Sequence, residues 1–294
     1  MKKNVATFLV LLSISINYAQ HNKTGILNDL VYMDIKSYRN YKLSVDNTID
    51  SIGYKIDKND TIITVKGYKT KGVKVPYEEK DSIFLERYKD IVYNKKYYKK
   101  NVKVAPTMKT WKSEIKIYVD MSLNKNIVKE FKEFTKYIDQ EVDSLKISFV
   151  TAIGESNYFI YGVTDSMSKN LDVRIINKEG FYLEWNNKQN INSCSLKVNT
   201  QDKLSNEQIV TSLKVNFVRS LGYFYAQPDN LDCTSYFSTC PSYQKIFGKK
   251  DLEILKYHYS YGICKGTDLI IFEKNHKEAK ESMKKNNIKI EFIH

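Results

Sequence analysis

The spacing of apolar residues changes at Pro106, and this change restricts the possible folds more than any other feature of the chain. From Val31 to Val75, apolar and polar residues alternate, which is the period of half-buried antiparallel strands. A short helix is predicted over residues 82–92. Beyond Pro106, strand and helix patterns alternate. We therefore predict a small β-rich N-terminal region over residues 20–105 and an α+β domain over residues 106–294.

The α+β domain is predicted to contain a mixed sheet covered by one long helix. Residues 115–119 form its first strand, and the apolar residues of 124–142 recur at helical spacing. Further short strands are predicted over residues 145–150, 158–163, 173–176, 181–185 and 195–198. We expect this sheet to have an antiparallel edge.

A helix with a defined start and end follows the sheet. Ser205 and Gln208 have the spacing of a capping box, in which serine hydroxyl and glutamine side chain satisfy the first free amides. An apolar stripe then runs along the helix to Gly222, where we expect the left-handed conformation that ends many helices. Two more helices are predicted, over residues 248–262 and 273–286.

This order of elements, over about residues 108–265, resembles the metzincin zinc peptidases. Active metzincins carry the motif His-Glu-x-x-His-x-x-Gly-x-x-His, in which three histidines hold zinc and the glutamate polarises the metal-bound water. The matching segment here is Val215–Tyr225, in which Gly222 alone agrees with the motif. The resemblance implies a degenerate active-site helix.

The residues at the ligand positions are unsuited to zinc. Val215 and Arg219 stand where the first two histidines would be, Asn216 where the glutamate would be, and Tyr225 where the third ligand would be. Valine has no lone pair, arginine stays protonated, and asparagine cannot take a proton from water. Phe237 stands where the family has the methionine of its Met-turn. We therefore expect no metal, no cofactor and no zinc proteolysis.

Two interpretations of the degenerate helix remain open. In one, it is a core helix with Arg219 directed to solvent. In the other, Asn216, Arg219 and Tyr225 line a remnant cleft, where a fixed cation and a phenol would hold a carboxylate, a phosphate or a sugar acid.

The first residues have the pattern of a secretory signal. Lys2 and Lys3 precede an apolar run over residues 5–16, and Ala19 offers a cleavage position. We predict a signal peptide over residues 1–19, a periplasmic or extracellular location, and no transmembrane segment. The net charge of +13 comes from lysines spread along the chain, which argues against a nucleic-acid partner and favours a solvated surface.

All four cysteines lie in the last third of the chain: Cys194, Cys233, Cys240 and Cys264. In an exported protein an even number of cysteines predicts disulfides, and four permit three pairings. We favour Cys233 with Cys240 and Cys194 with Cys264.

The function that these features favour is that of a non-catalytic binding or structural module, whose partner is an anionic ligand, a polysaccharide or an envelope protein. One alternative is a zinc-independent hydrolase that uses the remnant cleft or His258, although a packed or surface histidine is the preferred interpretation of His258. The other is carbohydrate binding, because 23 tyrosines offer rings for stacking on sugars.

Overall fold

A computed structural model of the chain describes residues 30–34, 39, 51–57, 60–66, 74–99, 104–163, 172–201, 204–228, 231–240, 245–286 and 291–293. The predicted signal peptide, residues 1–19, lies outside these residues. In the described part of the chain, no helix has both the length and the apolar character needed to span a membrane.

The chain divides into two compact units, and the division falls after Glu79, whereas the sequence pattern changes at Pro106. The first unit comprises Met1–Glu79, Tyr261–Ile263 and Lys274–His294, and the second comprises Lys80–Ser260 and Cys264–Glu273. Helix α1 (Ser82–Tyr93) therefore belongs to the second unit. Its side chain Tyr88 is fully buried and hydrogen-bonds to His258 of the same unit.

The first unit contains two small antiparallel sheets. Strands β1 (Leu30–Asp34), β2 (Ser51–Asp57) and β3 (Asp60–Lys66) form one sheet in the order β1-β3-β2. Strand β4 (Lys74–Pro76) pairs with the last strand of the chain, β11 (Glu291–Ile293). The alternating pattern predicted antiparallel strands in this region, and they are present.

The second unit is built on a six-stranded, mostly parallel sheet. Its strands are β5 (Thr110–Trp111), β6 (Ile115–Val119), β7 (Ile147–Phe149), β8 (Tyr158–Val163), β9 (Gly180–Trp185) and β10 (Asn190–Asn199). The order is β5-β10-β8-β6-β7, and β9 pairs antiparallel with β10. The prediction of an α+β fold with a mixed sheet is confirmed.

Three helices accompany this sheet in the second unit: α2 (Lys125–Glu141), α3 (Asn206–Ser220) and α4 (Lys249–Tyr259). Helix α5 (Leu269–Asn286), which starts four residues earlier than predicted, begins in the second unit and continues into the first. The apolar faces of α2 and α3 meet at Phe131 and Phe217, whose ring centroids are 5.2 Å apart. Tyr158 of β8 lies 5.6 Å from Phe217, so the same core joins both helices to the sheet.

The strand predicted over residues 173–176 is wrong. Here the carboxylate of Asp172 accepts hydrogen bonds from the backbone N–H of Arg174, at 3.0 Å, and from its guanidinium. An aspartate that bonds the backbone two residues ahead favours a turn over a strand. Val173 and Ile176 are therefore 80 % and 90 % exposed, although their apolar character suggested a buried strand.

Candidate functional site

Helix α3, which carries Val215, Asn216 and Arg219, ends against side chains from two other elements. Its capping box is present, since Ser205 and Gln208 bond each other's backbone amides. At the other end, the Trp111 indole donates to the Ser220 carbonyl at 3.3 Å, and the Tyr259 hydroxyl donates to the Leu221 carbonyl at 2.5 Å. Carbonyls that a helix end leaves unsatisfied are thus satisfied by β5 and α4.

The turn after α3 is made by Tyr223 in the left-handed conformation, with φ of 54°. The Phe224 N–H donates to the Arg219 carbonyl at 2.8 Å. In a Schellman motif this is the bond that spans the larger sequence separation. The prediction that Gly222 would adopt the left-handed conformation is therefore wrong by one residue. A tyrosine in this region costs roughly 1 kcal/mol, and such strain is concentrated at functional sites.

Gly222 serves a different purpose, which is close packing. A Cβ atom added there would lie 2.3 Å from two ring carbons of Phe224 and 2.8 Å from Nε2 of His258. Both rings are buried, and their centroids are 4.7 Å apart. Phe237 packs edge-on against Phe224, with ring centroids 5.4 Å apart. The turn therefore rests on an aromatic core that only a glycine can approach this closely.

His258 is a packed core residue, as preferred from the sequence. Its Nε2 lies 2.8 Å from the carbonyl of Lys109 and its Nδ1 lies 3.1 Å from the Tyr88 hydroxyl. Because a carbonyl can only accept, Nε2 carries the proton and Nδ1 accepts from tyrosine. Burial lowers the pKa of His258 to about 3, so the neutral ring is the stable form.

The three predicted cleft residues have different environments. Asn216 folds back on its own helix and donates to the carbonyl of Ser212 at 3.0 Å. Arg219 donates through Nε to the Phe224 carbonyl at 3.3 Å, and burial lowers its pKa. Tyr225 is half-buried, and its ring centroid lies 5.4 Å from that of Tyr223. Arg219 and Tyr225 thus share Tyr223 as a neighbour, whereas Asn216 is occupied by the helix.

Tyr223 is the centre of a half-exposed aromatic group, which we term the Tyr223 cluster: Lys109, Phe181, Trp185, Tyr223 and Tyr225. Trp185 and Phe181, from the edge strand β9, lie 5.6 and 6.3 Å from Tyr223. The Lys109 ammonium lies 4.6 Å from the centre of the Trp185 ring and 5.6 Å from that of Tyr223, and burial lowers the pKa of Lys109. A cation over ring faces is a favourable arrangement.

The loop that follows, residues 232–240, is held by the buried Asp251 and by Lys245. The Ser235 hydroxyl donates to the Asp251 carboxylate at 2.5 Å, and the Tyr236 amide donates to the same group at 3.1 Å. The Lys245 ammonium donates to the carbonyls of Cys233, Ser235 and Ser238 at 2.9–3.0 Å. Burial lowers the pKa of Lys245, the charge of Asp251 raises it, and the charge of Arg219 lowers it. Arg219 therefore lies close enough to Lys245 for the two charges to interact.

The disulfide Cys233–Cys240 is present, as predicted, and closes this loop. The predicted pair Cys194–Cys264 is wrong, because both are free thiols. Cys194 is buried in β10, where its thiol interacts with Tyr158 and Ser220 in the core. Burial raises the pKa of both free thiols to about 12.

The cysteine assignment predicts a definite thiol count. A thiol reagent such as DTNB at pH 8 is expected to react slowly with the native protein, because the thiolate is the reactive form and both pKa values are high. In denaturant without reductant, two thiols per chain should react at once, and four after reduction. If no thiol reacts in the unreduced denatured protein, a second disulfide exists.

The aromatic members of the site could not be identified in advance. Trp185 lies on a strand 38 residues before Tyr223, and no periodicity links the two. Tyr223 itself follows Gly222 directly, but glycine was the expected left-handed residue. Among the described residues, no three His, Cys, Asp or Glu side chains form a group that could hold a metal ion.

Comparison of the chain with known protein families, with curated proteins and with solved structures finds no match in any of the three. The resemblance to the metzincins therefore stays a hypothesis that rests on the order of elements and the turn after α3.

Proposed function

We propose that this chain is an exported, non-catalytic binding module on a degenerate metzincin-like scaffold, and that it binds acidic carbohydrate at Arg219 and the Tyr223 cluster. The observation that carries the proposal is the guanidinium of Arg219. It is largely buried, yet in the described part of the chain its one hydrogen bond is from Nε to the Phe224 carbonyl, and it forms no ion pair.

A desolvated cation without a carboxylate is costly, and a bound anion would offset that cost. The two terminal nitrogens of Arg219 have the fork geometry that matches a carboxylate. Asp251 of α4, a buried acid that holds the adjacent loop, accepts hydrogen bonds from Ser235, Tyr236 and Gly248. It forms no ion pair with Arg219 within the described residues, so the guanidinium favours a negatively charged group from outside.

The rings beside Arg219 favour a sugar as the carrier of that group. Trp185 is 40 % exposed, and Tyr223 and Tyr225 are half-buried, so each presents an apolar face with a polar edge. Such rings stack on the apolar faces of sugars. An oligosaccharide of uronic acids would satisfy both features, with its carboxylate on Arg219 and its rings on the cluster.

The scaffold part of the proposal is supported by the elements named above. The first strand, the long helix, the antiparallel edge strand, the capped helix and the loop carrying Phe237 occur in the expected order. Export rests on residues 1–19 of the sequence. The hydrolase alternative loses its best candidate base, because both ring nitrogens of His258 are bonded in the core.

The test measures binding of tetragalacturonate to the full chain, with tryptophan fluorescence as the signal. Trp111 is 3 % exposed and Trp185 is 40 % exposed, so a ligand-induced change reports on Trp185. Arg219→Gln is expected to raise the Kd about 10- to 100-fold, because it removes a charge-assisted hydrogen-bond pair.

The matched control is Arg174→Gln, which removes the same charge from an arginine already paired with Asp172 and Glu184. This variant should bind as the parent does. A neutral tetrasaccharide should bind at least about tenfold more weakly. Absence of tetragalacturonate binding, or equal affinity in the Arg219 and Arg174 variants, would contradict the proposal.

A further inference from the structure

A cavity lies between helix α1 and the segment before the disulfide loop. Its volume is about 420 Å³, and it is lined by Ser82, Ile83, Glu86, Arg87, Asp90, Gln227 and Leu231. None of these residues belongs to the Tyr223 cluster. The volume is in the range of pockets that take small molecules.

Two buried polar atoms of this cavity have no hydrogen-bond partner in the described part of the chain: Nε of Arg87, a donor, and Oε1 of Gln227, an acceptor. Gln227 is 4 % exposed. Its amide nitrogen donates to the Asp90 carbonyl at 2.7 Å, and because a carbonyl only accepts, the identity of the free oxygen follows. A buried donor and a buried acceptor thus remain unsatisfied in one pocket.

The carboxylates near Arg87 have other hydrogen-bond partners. Glu86 forms ion pairs with Lys89 and Lys95, each at 2.6 Å. The Asp81 carboxylate accepts from the Phe84 amide at 2.8 Å, and the Asp90 carboxylate, which also lines the cavity, accepts from the Lys96 amide at 3.0 Å. Within the described residues Arg87 forms no ion pair, although its charge contributes to the lowered pKa of Asp81.

Two apolar residues lie among the mostly polar residues that line the cavity. Ile83 is 72 % exposed, and Leu231 is half-buried. An exposed isoleucine beside a pocket is a surface that a ligand's hydrocarbon group can cover. The pocket therefore combines an arginine without an ion pair, one free acceptor and two apolar residues, beside the carboxylates of Glu86 and Asp90.

We propose that this cavity binds an N-acyl amino acid with an apolar side chain, either free or as the C-terminus of a peptide. The carboxylate would accept from Arg87, the adjacent amide N–H would donate to Oε1 of Gln227, and the side chain would cover Ile83 and Leu231. This ligand places an acceptor and a donor side by side, which is the complement of the two unsatisfied atoms.

The experiment titrates the full chain with N-acetyl-L-leucine, N-acetyl-L-leucinamide and a tripeptide ending in leucine, and follows backbone amide shifts by NMR. The acid is expected to bind at least about tenfold more tightly than the amide, because the amide lacks the charge that pairs with Arg87. Arg87→Gln should remove this difference. Binding of both acids supports the shared chemistry, and binding of the tripeptide alone assigns a peptide end as the source.

Two controls separate this site from the Tyr223 cluster and from loss of folding. Arg219→Gln should leave acetyl-leucine binding unchanged, so failure of the carbohydrate proposal does not affect this one. Gln227→Met should weaken binding of N-acetyl-L-leucine. The thermal unfolding midpoint of this variant is measured as well, and an unchanged midpoint assigns the loss of binding to the site. The proposal is overturned if neither N-acetyl-L-leucine nor the tripeptide binds, if acid and amide bind equally, or if Arg87→Gln keeps the parent affinity.

Discussion

Replacing Gly222 with alanine is expected to lower the free energy of unfolding by about 2–4 kcal/mol, because the added methyl group overpacks a closed core. The new Cβ would lie 2.3 Å from the Phe224 ring, which is itself fixed against Phe237 and His258. Relief requires movement of the turn that carries Tyr223. Urea unfolding at pH 7 measures the change, and tetragalacturonate binding should weaken in parallel.

Gly154→Ala is the matched control for this change. Gly154 lies in a short exposed turn, and a Cβ added there would have no atom within 4 Å. We expect its effect to stay within about 0.5 kcal/mol. If the two alanine variants were equally stable, the packing role of Gly222 would be refuted. The turn after α3 would then be able to move enough to accommodate a methyl group.

Acid should destabilise the protein below pH 6.5 through His258. The folded pKa of this histidine is lowered to about 3 by burial, whereas the unfolded chain has the ordinary value of about 6.5. The stabilisation is therefore complete above pH 6.5 and is lost as pH falls toward 3, because the unfolded chain takes up a proton that the folded chain refuses. The slope approaches about 1.4 kcal/mol per pH unit, or roughly 2–3 kcal/mol lost by pH 4.5.

Other groups also titrate in acid, so the measurement compares two proteins. Urea unfolding of the parent and of His258→Gln at pH 7.0, 6.0, 5.0 and 4.5 isolates the contribution of the histidine. The glutamine amide retains a donor for the Lys109 carbonyl. The variant should be less stable at pH 7 and lose less stability between pH 6.0 and 4.5. Parallel pH curves for the two proteins would show that His258 is not the acid-sensitive group.

Local patterns predicted most of the elements of the second unit. The stripe of α2, the capping box at Ser205 and the apolar run at Tyr158–Val163 each depend on residues within one or two turns of chain, and each appears in the structure. The strand predicted over residues 173–176 was wrong, and the cause of this error is also local. There a single side-chain bond from Asp172 to the Arg174 backbone outweighed apolar composition.

The turn after α3 illustrates where local reasoning stops. Glycine and tyrosine both stood in the sequence, and conformational preference alone assigned the left-handed position to Gly222. The structure assigns that position to Tyr223. Residue 222 is a glycine for another reason, since a Cβ there would meet Phe224 and His258, a residue 36 positions away. No local preference encodes this contact between distant segments.

The sequence by itself determined that Val215, Asn216, Arg219 and Tyr225 are unsuited to zinc, because that depends on the chemistry of these side chains alone. It did not determine what surrounds them. The sheet brings Trp185 and Lys109 to Tyr223, core packing leaves Arg219 without a carboxylate among the described residues, and α1 meets Gln227 around a cavity. These are long-range consequences of strand order and packing, which no spacing within one segment encodes.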